Sequence, residues 1–253
     1  MQATVLQQFK WARANHQKQF ALLIDPDKLD NAALLQTIDV AVQSKTDYLF
    51  VGGSLLTKDS LDECLTTIKS NCTIPTILFP GSVMQINNKA DAIFFLSLIS
   101  GRNAEMLIGQ HVLAAPYLKS STLEILPTGY ILVDGGTQTT VSYISNTTPI
   151  PANKPDIAAC TAMAGEMLGL QLMYMDAGSG AKNAIDEKMI SMVSNSIQVP
   201  LIVGGGILTT EKAVANCKAG ADIIVVGNAA EKNPTLIADM ANAIHQVSVS
   251  QLV

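Results

Sequence analysis

Charge is scarce in this 253-residue sequence: charged residues make up 15% of it, against 48% apolar ones, and the net charge is −5. With no basic excess there is no footprint for neutralising a phosphate backbone, which excludes nucleic acid as a partner. Any anionic ligand must be held by local groups. Cysteine is also sparse. Cys64, Cys72, Cys160 and Cys217 show no CxxC spacing and fall within or at the ends of expected helices. That fits reduced thiols in a cytoplasmic protein better than a disulfide framework. Only three histidines occur, His16, His111 and His245, all expected in helices away from strand ends. A histidine acid/base pair or a His-rich metal site is thereby set aside. No lysine sits inside an expected strand, which argues against Schiff-base chemistry. The opening stretch MQATVLQQFKWARANHQKQF is amphipathic and broken by charge, so it is neither a signal peptide nor a membrane span. It reads as a helix over residues 1–18 preceding the first strand.

Short apolar runs, in contrast, are plentiful: FALLID, YLFVGG, PTILFPG, AIFFLSLIS, YILVDGG, LQLMYMDAG, PLIVGGG and ADIIVVGN. Continuous apolar runs mark parallel strands covered on both faces. Helical patterns separate them at Asn31 to Gln43, Thr57 to Ser70, Asn103 to Leu118, Ile157 to Leu168, Asn183 to Ser196, Thr209 to Ala219 and Pro234 to Gln246. This alternation predicts one domain over 1–253, a single (β/α)₈ TIM barrel. A doubly wound sheet is the alternative. Between the third and fourth runs stands only SVMQINNKAD, near the minimum for a crossover with its helix. The third helix is therefore expected to be short or missing. TQTTVSYISNTTPIPANKP after the fifth run is too long for a bare loop and reads either as a binding loop or as a cover for the barrel or a subunit contact.

Barrel active sites gather at the C-terminal strand ends. There the sequence places VGGGI after strand seven and VGNAA after strand eight, loops whose backbone N–H groups can approach an oxyanion. AGSG after strand six, with Ser179, extends that cradle. IDPDK ends strand one and gathers Asp25, Asp27 and Lys28 at the mouth. Asp25 with Ser54 from the adjacent strand suits Mg²⁺, which keeps most of its waters and takes one or two protein carboxylates. The same position also suits a plain turn or helix-start residue. Phe79, Phe94, Phe95, Leu96 and Leu98 are mostly core, but with the third helix reduced some of them are placed to line an apolar groove.

LLIDPDK, VGGS, YMDAGSG, VGGGI and VGN occur in this order. As a set, spanning Leu22 to Asn228, they resemble the geranylgeranylglyceryl phosphate synthase family, which includes bacterial relatives making heptaprenylglyceryl phosphate. The lengths look like the larger of that family's two groups. The resemblance implies Mg²⁺-dependent transfer of a prenyl chain from its diphosphate to sn-glycerol 1-phosphate, by a homo-oligomer, dimer or hexamer. It implies Asp25 and Ser54 as metal ligands. It implies Tyr174, Met175, Asp176, Ala177, Gly178, Ser179, Gly180, Gly205, Gly206, Gly227 and Asn228 as the glycerol 1-phosphate site, with Asp176 and Tyr174 catalytic. Lys28 and Arg102 would offset charge on the diphosphate, and Phe95 or Tyr117 would stop the prenyl chain. The family's motif carries glutamate where this chain has Asp176. An aspartate acts from one methylene further back, on the hydroxyl directly or through a water. Two other readings stay open: a phosphosugar isomerase or thiamin-phosphate-type synthase on the same barrel, and a non-catalytic barrel that senses a phosphorylated metabolite.

Overall fold

A computed structural model describes residues 3–227 and 235–250. Eight strands run parallel and close on themselves: β1 (Gln19–Ile24), β2 (Tyr48–Val51), β3 (Thr76–Leu78), β4 (Ala92–Leu98), β5 (Glu124–Leu132), β6 (Leu172–Asp176), β7 (Leu201–Gly204) and β8 (Ile223–Val226), with β8 pairing back to β1. Around them, among the described residues, lie α1 (Val5–Ala14), α2 (Asn31–Gln43), α3 (Leu61–Asn71), α4 (Gln110–Lys119), α5 (Thr140–Ile144), α6 (Pro155–Met167), α7 (Glu187–Ser196), α8 (Thr210–Lys218) and α9 (Thr235–Ser250). This is the expected TIM barrel.

The two-residue period of a strand sorts the apolar side chains into two layers. Leu22, Leu49, Met173, Met175 and Val203 face outward, where they pack against the helices. Tyr48, Phe50, Phe94, Leu126, Tyr130, Tyr174 and Ile202 face inward and fill the barrel. The inner aromatics pack edge to face, as rings with opposed quadrupoles prefer: Phe50 meets Phe94 at 4.8 Å and 84°. The same parity carries Asp176, at the top of β6, to the inner face.

The bottom of the barrel is stoppered by α1. A capping box of Thr4 and Gln7 starts this helix. Val5 and Phe9 belong to the inner cluster, and the Phe9 ring stands edge-on to Tyr48 at 4.7 Å. Polar anchors surround that plug. The Glu124 carboxylate accepts from the Val5 and Leu6 amides, Lys10 donates to Gln171, and Arg13 pairs with Asp222 at 2.6 Å while donating to the Ile197 carbonyl.

The expected loss of the third helix is observed: between β3 and β4 only a 3₁₀ turn, Val83–Gln85, remains. Pairing is correspondingly thin there. β3 and β4 share two residue pairs, whereas β4 and β5 share seven. Three expectations need correction. β5 begins at Glu124, six residues before Tyr130, and runs through Pro127 and Gly129. Pro127 lacks a donor, but its carbonyl still accepts from Gln171. His16 is not helical: it follows α1 with a left-handed φ of 54° and is exposed. His111, though helical, lies close to the barrel mouth and lines a groove described below.

Candidate active site

The mouth of the barrel has two unlike sides. On the β6–β7 side it is made of backbone. Gly205, with φ +82°, sits so close to the preceding loop that a Cβ there would meet Asp176 Oδ1 at 2.5 Å and the Ala177 and Gly178 amides at 2.6 and 2.7 Å. Only glycine fits. Gly206 is equally left-handed, at φ +68°, and abuts Asn183 and Ala184. The AGSG loop and the GGG loop thus touch backbone to backbone, with Ser179 and Gly180 exposed beside them. Gly227 closes β8 against Leu23 of β1. Asn228 lies outside the described residues.

Not every residue of YMDAGSG presents its side chain. Met175 faces outward and is fully buried among the helices, so only its backbone can contribute to a ligand site. Ala177 is likewise buried, and its amide is spent on the Gly204 carbonyl. Tyr174 points inward, stacked on Phe79 with ring centroids 5.0 Å apart, and its hydroxyl rises beside Gly204.

Asp176 is the chemical centre of this side. It is 8% exposed. Its Oδ2 accepts from the Tyr130 hydroxyl at 2.5 Å and its Oδ1 from the Gly178 amide at 2.7 Å. Burial pushes its carboxyl above the ordinary value, and the two donors pull partly back. Burial likewise holds the Tyr130 and Tyr174 phenols well above theirs, with the nearby Asp176 charge adding to it. A buried carboxyl with a perturbed pKa at a barrel mouth marks a candidate acid or base.

The other side is made of side chains. Between β3, β4, α4 and α5 opens a groove lined mainly by apolar side chains. Phe79, Phe94, Phe95, Leu96 and Leu98 line it, as does Tyr130. Tyr117, in contrast, is exposed on the outer face of α4 and is not a wall of the groove. His111 packs edge-on to Phe95 at 4.4 Å, and burial lowers its pKa, which favours the neutral ring. The long insertion after β5 proves to be part of this wall through Val141, Ile144 and Ser145 of α5 and its end. It reaches the polar side as well, because Thr139 packs against Gly178.

At the groove mouth stand the sequence-predicted metal residues. Gly52 of the β2 loop donates to the Ile24 carbonyl, which brings the Asp25 carboxylate alongside Gly53, the residue before Ser54. Gln85, in the 3₁₀ turn, donates to the Gly53 carbonyl at 3.0 Å and accepts from Gly81, fixing that corner. Lys28 Nζ lies 3.1 Å from Asp25 Oδ2. Asp27, by contrast, is consumed by the fold, since its carboxylate accepts from Thr57, Lys58 and Ser60 and ties the β1 loop to the β2 loop. Arg102 bonds the neighbouring Gly101 carbonyl. No cluster of three or more His, Cys, Asp or Glu occurs among the described residues. One carboxylate with one hydroxyl fits Mg²⁺, which completes its shell with water and phosphate, and not zinc.

Known proteins share this sequence and this fold. The sequence profile of the PcrB family matches residues 11–248. The chain belongs to the PcrB family. It is 59% identical to the geranylgeranylglyceryl phosphate synthase of Chitinophaga pinensis over 228 residues, 90% of each chain. With the synthase of the same name from Spirosoma linguale it shares 53% identity over 247 residues, 98% of each. Among solved structures, (S)-3-O-geranylgeranylglyceryl phosphate synthase of Thermoplasma acidophilum, in complex with its substrate sn-glycerol-1-phosphate, superposes with a TM-score of 0.92 at 33% identity, covering 97% of this chain and 100% of that one. Tyr130 escaped the sequence reading, and so did the individual residues of the α5 wall, although the insertion that carries them reads as a binding loop or a cover. Tyr130 lies two residues below the end of β5, not past it, and the apolar pair Val141 and Ile144, one helical turn apart, was the available sign of the wall.

Proposed function

We propose that this PcrB-family protein is a prenyltransferase that joins a long-chain polyprenyl group, carried as its diphosphate, to the free hydroxyl of sn-glycerol 1-phosphate through an ether bond. The observation that carries the reading is the place of Asp176, a buried carboxylate between an apolar groove and a pair of glycine loops. The names and the bound substrate of the relatives support it.

Each part of the mouth then has one task. The glycine loops, with Ser179, Gly180, Gly205, Gly206 and Gly227, hold the phosphate end, where backbone amides suit an oxyanion. Tyr174 and Asp176 face the hydroxyl end. The groove takes the prenyl chain and keeps water from the reacting carbon. Asp25 and Ser54 would hold Mg²⁺ at the groove mouth, with Lys28 and Arg102 beside the diphosphate. The chemistry that Mg²⁺ supplies when bound is neutralisation of charge on the leaving diphosphate. Asp176 takes the hydroxyl proton as the oxygen bonds to the allylic carbon.

The reading includes a homo-oligomer, for which the exposed Ile108, Val112, Leu113 and Tyr117 on and beside α4 supply an apolar face. It also includes a cytoplasmic location, which the four unpaired cysteines suit. Among the described residues no helix is long and apolar enough to cross a membrane. Incubation with labelled sn-glycerol 1-phosphate, Mg²⁺ and prenyl diphosphates of several lengths should move label into the organic phase. Failure at every length refutes the reading. Asp25→Asn should lower turnover by roughly 10²- to 10³-fold while leaving glycerol 1-phosphate binding intact, and a fully active variant would remove Asp25 from the metal site.

A further inference from the structure

We propose that Tyr130 is a positioning residue serving both substrates at once: its ring walls the apolar groove while its hydroxyl holds the Asp176 carboxylate on the glycerol side. The inference rests on the prenyl-transfer reading above. Strand register sets it up, since Tyr130 on β5 pairs with Tyr174 on β6 and both rings point into the barrel. Neighbouring rings, Tyr174 at 5.5 Å and Phe79 at 6.0 Å, confine the phenol. Its hydroxyl meets Asp176 Oδ2 at 2.5 Å, while Gly178 occupies Oδ1 at 2.7 Å. Two donors from different elements fix the plane of the carboxylate, and a base held in one plane needs no reorganisation when the hydroxyl arrives.

The hydroxyl of Tyr130 also governs whether Asp176 is ionised. Burial favours the protonated acid, which cannot act as a base; the donors favour the carboxylate. Among the described residues, the titratable groups facing Asp176 are Tyr130 from β5 and Tyr174 from its own strand, and Gly204 and Gly205 of the adjacent β7 end carry none. In the step itself the substrate O–H breaks with its proton passing to Asp176. The oxygen bonds to the allylic carbon, and that carbon's bond to diphosphate breaks with its electron pair leaving on the diphosphate. Tyr130 keeps its own proton throughout.

Tyr130→Phe keeps the ring and removes the donor. It should leave the KM for prenyl diphosphate and the Kd for glycerol 1-phosphate within about twofold, lower kcat on the order of tenfold, and move the acidic limb of the kcat/KM profile up by about one pH unit. 3-Fluorotyrosine at 130, a stronger donor, should move that limb down. A residue that only packs would change stability or KM and leave the limb in place. Should the phenylalanine variant not fold, the fluorotyrosine protein decides alone. An unmoved limb overturns the proposal. ¹³C NMR of the Asp176 carboxyl in the unliganded protein reads the same two shifts without turnover. A wild type that makes no product would therefore sink the prenyl-transfer reading, and the coupling of Tyr130 to Asp176 would still be judged.

Discussion

The β6–β7 side of the mouth and the β3–β4 side solve opposite problems with opposite materials. Where two glycine loops touch, selectivity resides in main chain that a single Cβ would displace, as at Gly205 against Asp176 and Gly178. Across the barrel, where one helix has shrunk to Val83–Gln85, the wall is built from exchangeable side chains contributed by β3, β4, α4 and α5. A phosphate has one size and one charge, so a rigid backbone cradle suits it. A prenyl chain asks only for apolar area, which many residue combinations supply. The polar side should therefore fail abruptly under substitution and the apolar side by degrees.

The sharpest break in that contrast comes from Asp176→Asn. Turnover should fall by about 10³-fold, measured with saturating substrates. Stability should move the other way. Burial raises the folded-state pKa of Asp176 above its unfolded value, so the folded protein keeps a proton that the unfolded chain has lost. Stability falls as pH rises through that interval, and above the folded pKa the cost of the buried carboxylate is fully present. The asparagine variant should melt higher than wild type at pH 8, and the gain should close as pH falls below the ordinary carboxylate range. A lower melting temperature at pH 8 would contradict it.

A smaller effect separates backbone from side chain. Gly205→Ala must place a Cβ into the touching loops at a left-handed φ, which costs on the order of 1–3 kcal/mol. The Kd for glycerol 1-phosphate should rise tenfold or more while prenyl diphosphate affinity holds; calorimetry with each substrate tests the split. Smallest is Val141→Ser in the α5 wall. Losing part of one apolar contact is worth about 1 kcal/mol, so the prenyl diphosphate KM should rise roughly fivefold and glycerol 1-phosphate binding should not move. Equal losses for both substrates would erase the distinction between the two sides.

Sequence alone reached the barrel because parallel strands advertise themselves as unbroken apolar runs, and α2 falls where its pattern places it, from Asn31 to Gln43. It also reached the groove residues Phe79 and Phe94 to Leu96, because ten residues cannot hold a full crossover helix. It did not reach Tyr130. Loops after strands draw attention, whereas a long phenol can touch the mouth from inside a strand, and which carboxylate it meets depends on β5–β6 register. Met175 shows the converse limit: a position within a motif can lie on the outer face of its strand, leaving only its backbone at the mouth. Asp25 stands out over Asp27 by its place at the strand end, and the structure adds why its neighbour two residues on is not free: Thr57 and Ser60 claim it.

The stopper at the barrel floor has a consequence for synthesis. α1 leaves the ribosome before any strand, yet its anchors sit far downstream: Glu124 is 119 residues beyond Val5, and Asp222 is 209 beyond Arg13. Phe9 can meet Tyr48 of β2 early, but the full set of anchors of α1 exists only once β5 and the start of β8 are in place. Docking of α1 thus joins the beginning of the barrel's sequence to its far end.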